Sequence, residues 1–177
     1  MVDGGSAPGE SAASDGFGRL SEDLVASAQA FCRSSLQALA ADDGAVFLLH
    51  AGTALEHLSK SLLASLHGSL IARPDEFNSL LHASGLGKYA STRPTQMRTI
   101  TLTVSLQRAG QIVPELANLK EPLQPLVDGR NGVAHAALVD RDVVEDVVVP
   151  FLRSPRPVAH GDGYEARGVL GRPARCG

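Results

Sequence analysis

Apolar residues recur every three or four positions through most of the central chain, with polar residues filling the gaps between them. Val46, Leu49, Thr53, Leu58, Leu62 and Leu66 keep that spacing for several turns and predict a long helix with one face on a core. The Asp42-Asp43 pair supplies side-chain oxygens to cap its first free amides, and the helix must stop before Pro74. Upstream, Ser21 followed by Glu22 and Asp23 reads as the N-cap and first turn of an earlier helix that runs to about Ala40. A short helix fits "PDEFNSLLHA", with Pro74 in its first turn and Gly85 just past its end. The turn-rich "SGLGKYASTRPTQ" then forms an exposed loop.

The segment "RTITLTVSLQRAG" satisfies two periods at once. Ile100, Leu102, Val104 and Leu106 alternate as in a strand, whereas Leu102, Leu106, Ala109 and Val113 fit a helix. No second strand candidate exists to pair with it, so a helix is expected. Leu116, Leu119, Leu123, Leu126 and Val127 continue the helical pattern, with Pro122 and Pro125 predicting a kink or a late start. Asp140 caps a last helix, whose valines at 143, 144, 147 and 148 share a face. The expected fold is all-α, an up-and-down bundle of about four to five helices. Residues 1–18 and 154–177 read as disordered on composition, leaving one helical domain over 19–153.

Composition narrows the function classes. A chain of 177 residues at 44% hydrophobic content can bury one core of ordinary size. A net charge of -3 excludes a broadly basic nucleic-acid-coating surface, so any RNA contact must use a local patch. The 2 cysteines, Cys32 and Cys176, form neither a zinc spacing nor a disulfide framework, which suits a reducing cytoplasm. There is no apolar run long enough for a membrane span and no signal-peptide pattern at the N-terminus. Nor is there a Gly-rich phosphate loop, a nucleophile elbow or an H-E-x-x-H helix, so neither a metal nor a cofactor is expected.

One polar constellation stands out, Arg130, Asn131 and His135 in "LVDGRNGVAHAAL". With 6 His and 13 Arg in the chain, an Arg and a His five apart arise by chance about 0.4 times. Requiring Asn directly after the Arg lowers the expectation below roughly 0.01. On a helix Asn131 and His135 share a face, and Arg130 points about 100° from Asn131. An imidazole titrating near neutrality can take a proton from a ribose 2′-OH or give one to a leaving oxygen. A guanidinium can hold a phosphate through parallel hydrogen bonds, and an amide can orient the substrate. In-line cleavage needs both an acid and a base, which two copies of this ridge in a symmetric homodimer would supply. The plain alternative is an N-cap Asn, a capping Arg and a solvated His.

"RNGVAH" resembles the R-N-x-x-x-H signature of HEPN domains, all-α and often dimeric domains that include many metal-independent ribonucleases. "LLHAGTALEHLSKSLLASLHGSLI" is similar to their long helix, with small residues followed by Glu and Lys, and the resemblance spans roughly residues 42–153. It implies an endoribonuclease of the toxin or defence-effector kind that leaves a 2′,3′-cyclic phosphate, with Arg130, Asn131 and His135 as catalytic residues and an antitoxin or neighbouring-gene product as a partner. It equally admits a non-catalytic dimeric scaffold or an RNA- or nucleotide-binding module. In the subgroup modified by a partner nucleotidyltransferase a Tyr stands two residues after the His; here that position is Ala137.

Glu56 and Lys60 are spaced as an ordinary surface ion pair, or face the groove to hold Arg130 or the RNA backbone. The loop residues Lys88, Arg93 and Arg98 form the best local basic patch, and Tyr89 offers a ring for base stacking; solvated loop charge is the plain reading. His50 and His57 lie seven apart on one helix face but lack the cysteines or carboxylates of a metal site.

Overall fold

The computed structural model describes the backbone of residues 11–153 and the side chains of 19–148. Five helices of eleven residues or more form the body: α1 Ser11–Ala40, α2 Gly44–Leu66, α4 Leu102–Ile112, α6 Lys120–Ala136 and α7 Arg141–Arg153. Two short ones, α3 Phe77–Ala83 and α5 Pro114–Ala117, lie in the connections. Among the described residues there is no strand, only an isolated antiparallel bridge between Ala72 and Thr99.

Helix α2 is the hub. It starts where Asp43 accepts a hydrogen bond from the Val46 amide at 3.0 Å, as the acidic pair predicts. Asp42, at φ 57°, makes the tight reversal that lays α1 back along α2. Phe47, Leu48, Ala51, Ala54, Leu55 and Leu63 bury one broad face of α2, which touches α1, α4, α6 and α7. Leu102, Leu123, Leu126, Val127 and Val147 close the core from the other helices. The valine face expected on α7 is present: Val147 is buried, and Val143, Val144 and Val148 pack against the same cluster. Asp140 caps that helix through the Asp142 amide at 3.0 Å.

Three local expectations are corrected. Helix α1 begins at Ser11, not at a Ser21 cap, and so takes in residues 11–18 of the segment expected to be disordered. Once α1 is nucleated by packing on α2, each added residue gains a hydrogen bond and the helix runs upstream; Ser21 uses its hydroxyl to reach the Ser61 carbonyl on α2 at 2.9 Å instead. Pro74 lies before α3, whose N-cap is Glu76, because the chain first makes a turn there, closed by the Glu76 amide on the Arg73 carbonyl at 3.2 Å and by the Arg73–Asp75 pair. Helix α6 does not wait for its prolines. Pro122 sits in the first turn, where amides need no partner, and only Pro125 forfeits a hydrogen bond inside the helix. Residues 1–10 and 154–177 lie outside the described residues.

The doubly periodic segment is extended at 98–100, where the Ile100 amide bonds the Ile71 carbonyl at 2.9 Å. It turns helical after Thr101, whose side chain caps α4. The helical reading therefore holds over Leu102–Ile112, and of the alternating residues only Ile100 lies in the extended stretch.

His50 and His57 are half-buried between α2 and α1. Each presents its ring edge-on or nearly so to Phe31 of α1, with centroids 5.4 and 5.6 Å apart, and bonds a serine of α1: His50 to Ser34 at 2.8 Å, His57 to Ser27 at 2.9 Å. Burial pushes the His57 pKa below its ordinary 6.5, outweighing the raising effect of Glu56, with Lys60 lowering it further. The unfolded chain therefore binds the proton first as pH falls. Stability is unaffected by His57 well above pH 6.5, declines as pH falls below that value, and levels off under the lowered folded pKa. Melting curves across this range should show the decline reduced in His57→Gln, which removes the titrating group; an unchanged decline would assign it elsewhere.

Candidate functional site

Arg130, the first residue of the motif, lies on α6 where that helix crosses α2. Helical side chains lean toward the N-terminus of their helix, so the Arg130 stem folds back over the α2 surface. Gly52 makes room for it. A Cβ at position 52 would stand 2.8 Å from the Arg130 Cγ and 3.0 Å from its Cβ and Cδ, closer than such atoms pack. One turn further along α2, Glu56 accepts a hydrogen bond from the Arg130 guanidinium, Nη2 to Oε2, at 2.9 Å. Its other oxygen, Oε1, accepts one from Lys60 Nζ at 2.5 Å, and Lys60 also donates to Thr99 Oγ1 at 2.9 Å. The row thus runs from Thr99, beside the basic loop, through Lys60 and Glu56 to Arg130.

Depth is graded along that row. The side chains of Lys60, Glu56 and Arg130 are 6%, 14% and 27% exposed. Two cations share one carboxylate, and Arg130 is the more exposed of the two. This is not the ordinary surface ion pair that the i, i+4 spacing alone allows.

Asn131 is half-buried and accepts a long contact from Arg130 Nη1 at 3.5 Å. His135 is exposed on the last turn of α6, with no hydrogen bond to another described residue. Five residues carry it about 7.5 Å along the helix and about 140° around it from Arg130, so within one chain the imidazole and the guanidinium face different directions. Ala137 ends the helix in the left-handed conformation, φ 52°, and the Leu138 amide bonds back to the Gly132 carbonyl at 3.2 Å. Leu138 and Val139, three and four residues after His135, are 69% and 45% exposed, with Val139 partly covered near Gly44 of α2.

The basic loop forms two tight 3-10 turns, 87–89 and 94–96, around α3. Tyr89 is exposed, with Lys88 Nζ 4.9 Å from its ring centroid. Arg98 pairs with Glu76 at 3.1 Å, whereas Arg93 and Lys88 make no ion pair among the described residues. Among the described residues, the hydrogen-bonded link from the loop side to the motif runs through Thr99, Lys60 and Glu56.

Two residues of the site carry no motif. Gly52 had a signal, a glycine inside an otherwise strong helical pattern, which marks close approach of another chain segment. Thr99 had none. Among the described residues no group of three or more His, Cys, Asp or Glu is placed to hold a metal ion, and no helix is long and apolar enough to cross a membrane. No family model matches the chain, and neither a curated protein nor a solved structure matches it.

Proposed function

We propose that the chain is a metal-independent endoribonuclease of the HEPN type that works as a homodimer. One observation carries this reading: Glu56 holds Arg130 on the same helix that offers His135 to solvent with no hydrogen bond to another described residue. In the proposed reaction one imidazole takes the proton of a ribose 2′-OH and that oxygen attacks phosphorus. The phosphorus–5′-oxygen bond breaks, and the leaving oxygen takes a proton from the second imidazole, giving a 2′,3′-cyclic phosphate and a 5′-hydroxyl. Arg130 neutralises the charge that builds on the phosphoryl oxygens, and Asn131 orients the strand.

One protomer supplies a single imidazole for a step that uses two. Leu138 and Val139 are the apolar surface on which a second copy would seat beside His135. Light scattering should find a dimer at tens of micromolar, and Leu138→Asp should shift it to monomer and take RNA cleavage with it. Cleavage by the parent should persist in EDTA. A strict monomer that cuts RNA, or activity lost to EDTA and restored by Mg²⁺, defeats the mechanism.

A second reading has its own observation. Arg130 already has an internal carboxylate partner, which suits a structural role for the motif in a non-catalytic dimeric scaffold. Purified parent protein that binds RNA or a partner protein but cuts nothing would establish that reading instead.

A further inference from the structure

Glu56 is the only carboxylate among the described residues in ion-pair contact with Arg130 or with Lys60, and it splits its two oxygens between them. A carboxylate and a guanidinium, left alone, favour a fork of two parallel hydrogen bonds. Here the fork is not made. Oε1 is taken by the Lys60 ammonium, so Arg130 meets Glu56 through one nitrogen and one oxygen. Beyond that bond and the long Asn131 contact, the remaining guanidinium N–H groups have no partner among the described residues. Lys60 is itself fixed, 6% exposed and held by Thr99 from the opposite side.

We propose that Lys60 is a positioning residue that keeps Arg130 available to an external phosphate diester by occupying the second oxygen of Glu56. The triad then carries one unit of positive charge, located on the guanidinium at the surface. Without the ammonium, Glu56 is free to close a bidentate clamp on Arg130, the triad becomes neutral, and the phosphate must compete with an internal carboxylate for both edges of the fork. The role rests on reading Arg130 as the phosphate contact; it does not require that the bound strand be cut.

Binding of a fluorescent 2′-O-methyl RNA octamer, which has no free 2′-OH and cannot be cleaved, separates the two questions. Anisotropy at low salt should show Lys60→Met about tenfold weaker than the parent and Glu56→Gln several-fold tighter, because the first variant removes a positive charge and the second a negative one. The opposite signs are the diagnostic. A merely structural triad would make both variants weaker, since either change leaves a buried charge less well paired. The contrast should shrink as salt is raised. If Lys60→Met does not fold, tighter binding by Glu56→Gln carries the test alone. The proposal is overturned if Lys60→Met binds like the parent, if Glu56→Gln binds more weakly, or if the parent fails to hold the octamer more tightly than Arg130→Ala does. A parent that binds the octamer yet leaves unmodified RNA intact would refute the nuclease and leave this role of Lys60 standing.

Discussion

If the proposed nuclease reading holds, His135→Ala should abolish most RNA cleavage while leaving the fold and the oligomeric state of the parent intact. The imidazole is exposed and makes no hydrogen bond to another described residue, so its removal costs the bundle almost nothing. Loss of a positioned acid or base lowers rates by about a hundredfold to ten-thousandfold. Arg130→Ala should lose a comparable factor, since its charge is the one proposed to meet the phosphate, with a small drop in melting temperature because its stem packs on Gly52 and its guanidinium bonds Glu56. Single-turnover cleavage of a labelled RNA, alongside thermal melts and light scattering, reads all three quantities. Variants that cut as fast as the parent would move the chemistry away from this helix.

The largest effect on stability is expected at Leu48. It is fully buried on α2 and packs beneath α6 at Gly129, where an added Cβ would meet its two methyl carbons at 3.2 Å and Val143 Cγ1 of α7 at 2.9 Å. Three helices converge there with no slack, so the cavity left by Leu48→Ala cannot collapse easily. Truncation of this kind costs about 2–5 kcal/mol. For a domain of this size that corresponds to a melting temperature lower by roughly 10 °C. A loss below about 1 kcal/mol in urea titration would mean that α6 and α7 close over the gap.

Those two sites differ in how much of them could be read from the linear chain. Helix α2 was legible because its determinants are local: a capping aspartate, then leucines and alanines at helical spacing. The face of α7 was legible for the same reason. Ser21 misled because a serine before two acids looks alike whether it caps a helix or sits inside one, and only the packing of α1 on α2 decides. The prolines did not delay α6 to a start beyond them because the penalty of Pro125 is local, whereas the burial of Leu123, Leu126 and Val127 that outweighs it is tertiary. In the motif, the residue types and their spacing named Arg130 and His135, but the bond from Arg130 to Glu56 joins positions 74 apart. Nothing in the spacing of Glu56 and Lys60 told a solvated pair from a buried, shared carboxylate. Thr99 entered only because the 98–100 segment lies extended against Ile71 and Ala72.

Gly52 trades helix propensity for a close crossing of two helices. A glycine in the middle of a 23-residue helix costs that helix about 0.5–1 kcal/mol relative to alanine. The bundle tolerates the weakness at the one position where α2 must admit the stem of Arg130. Alanine there would regain helix propensity, but its methyl would meet Arg130 Cγ at 2.8 Å and Cβ at 3.0 Å, at the backbone end of the side chain, and no rotamer change carries the Cβ away. Helices α2 and α6 would have to part, so the overpacking outweighs the propensity gained and loosens the Arg130–Glu56 bond at the same time. The missing methyl group is thus the width of the gap through which the site is fastened to its scaffold.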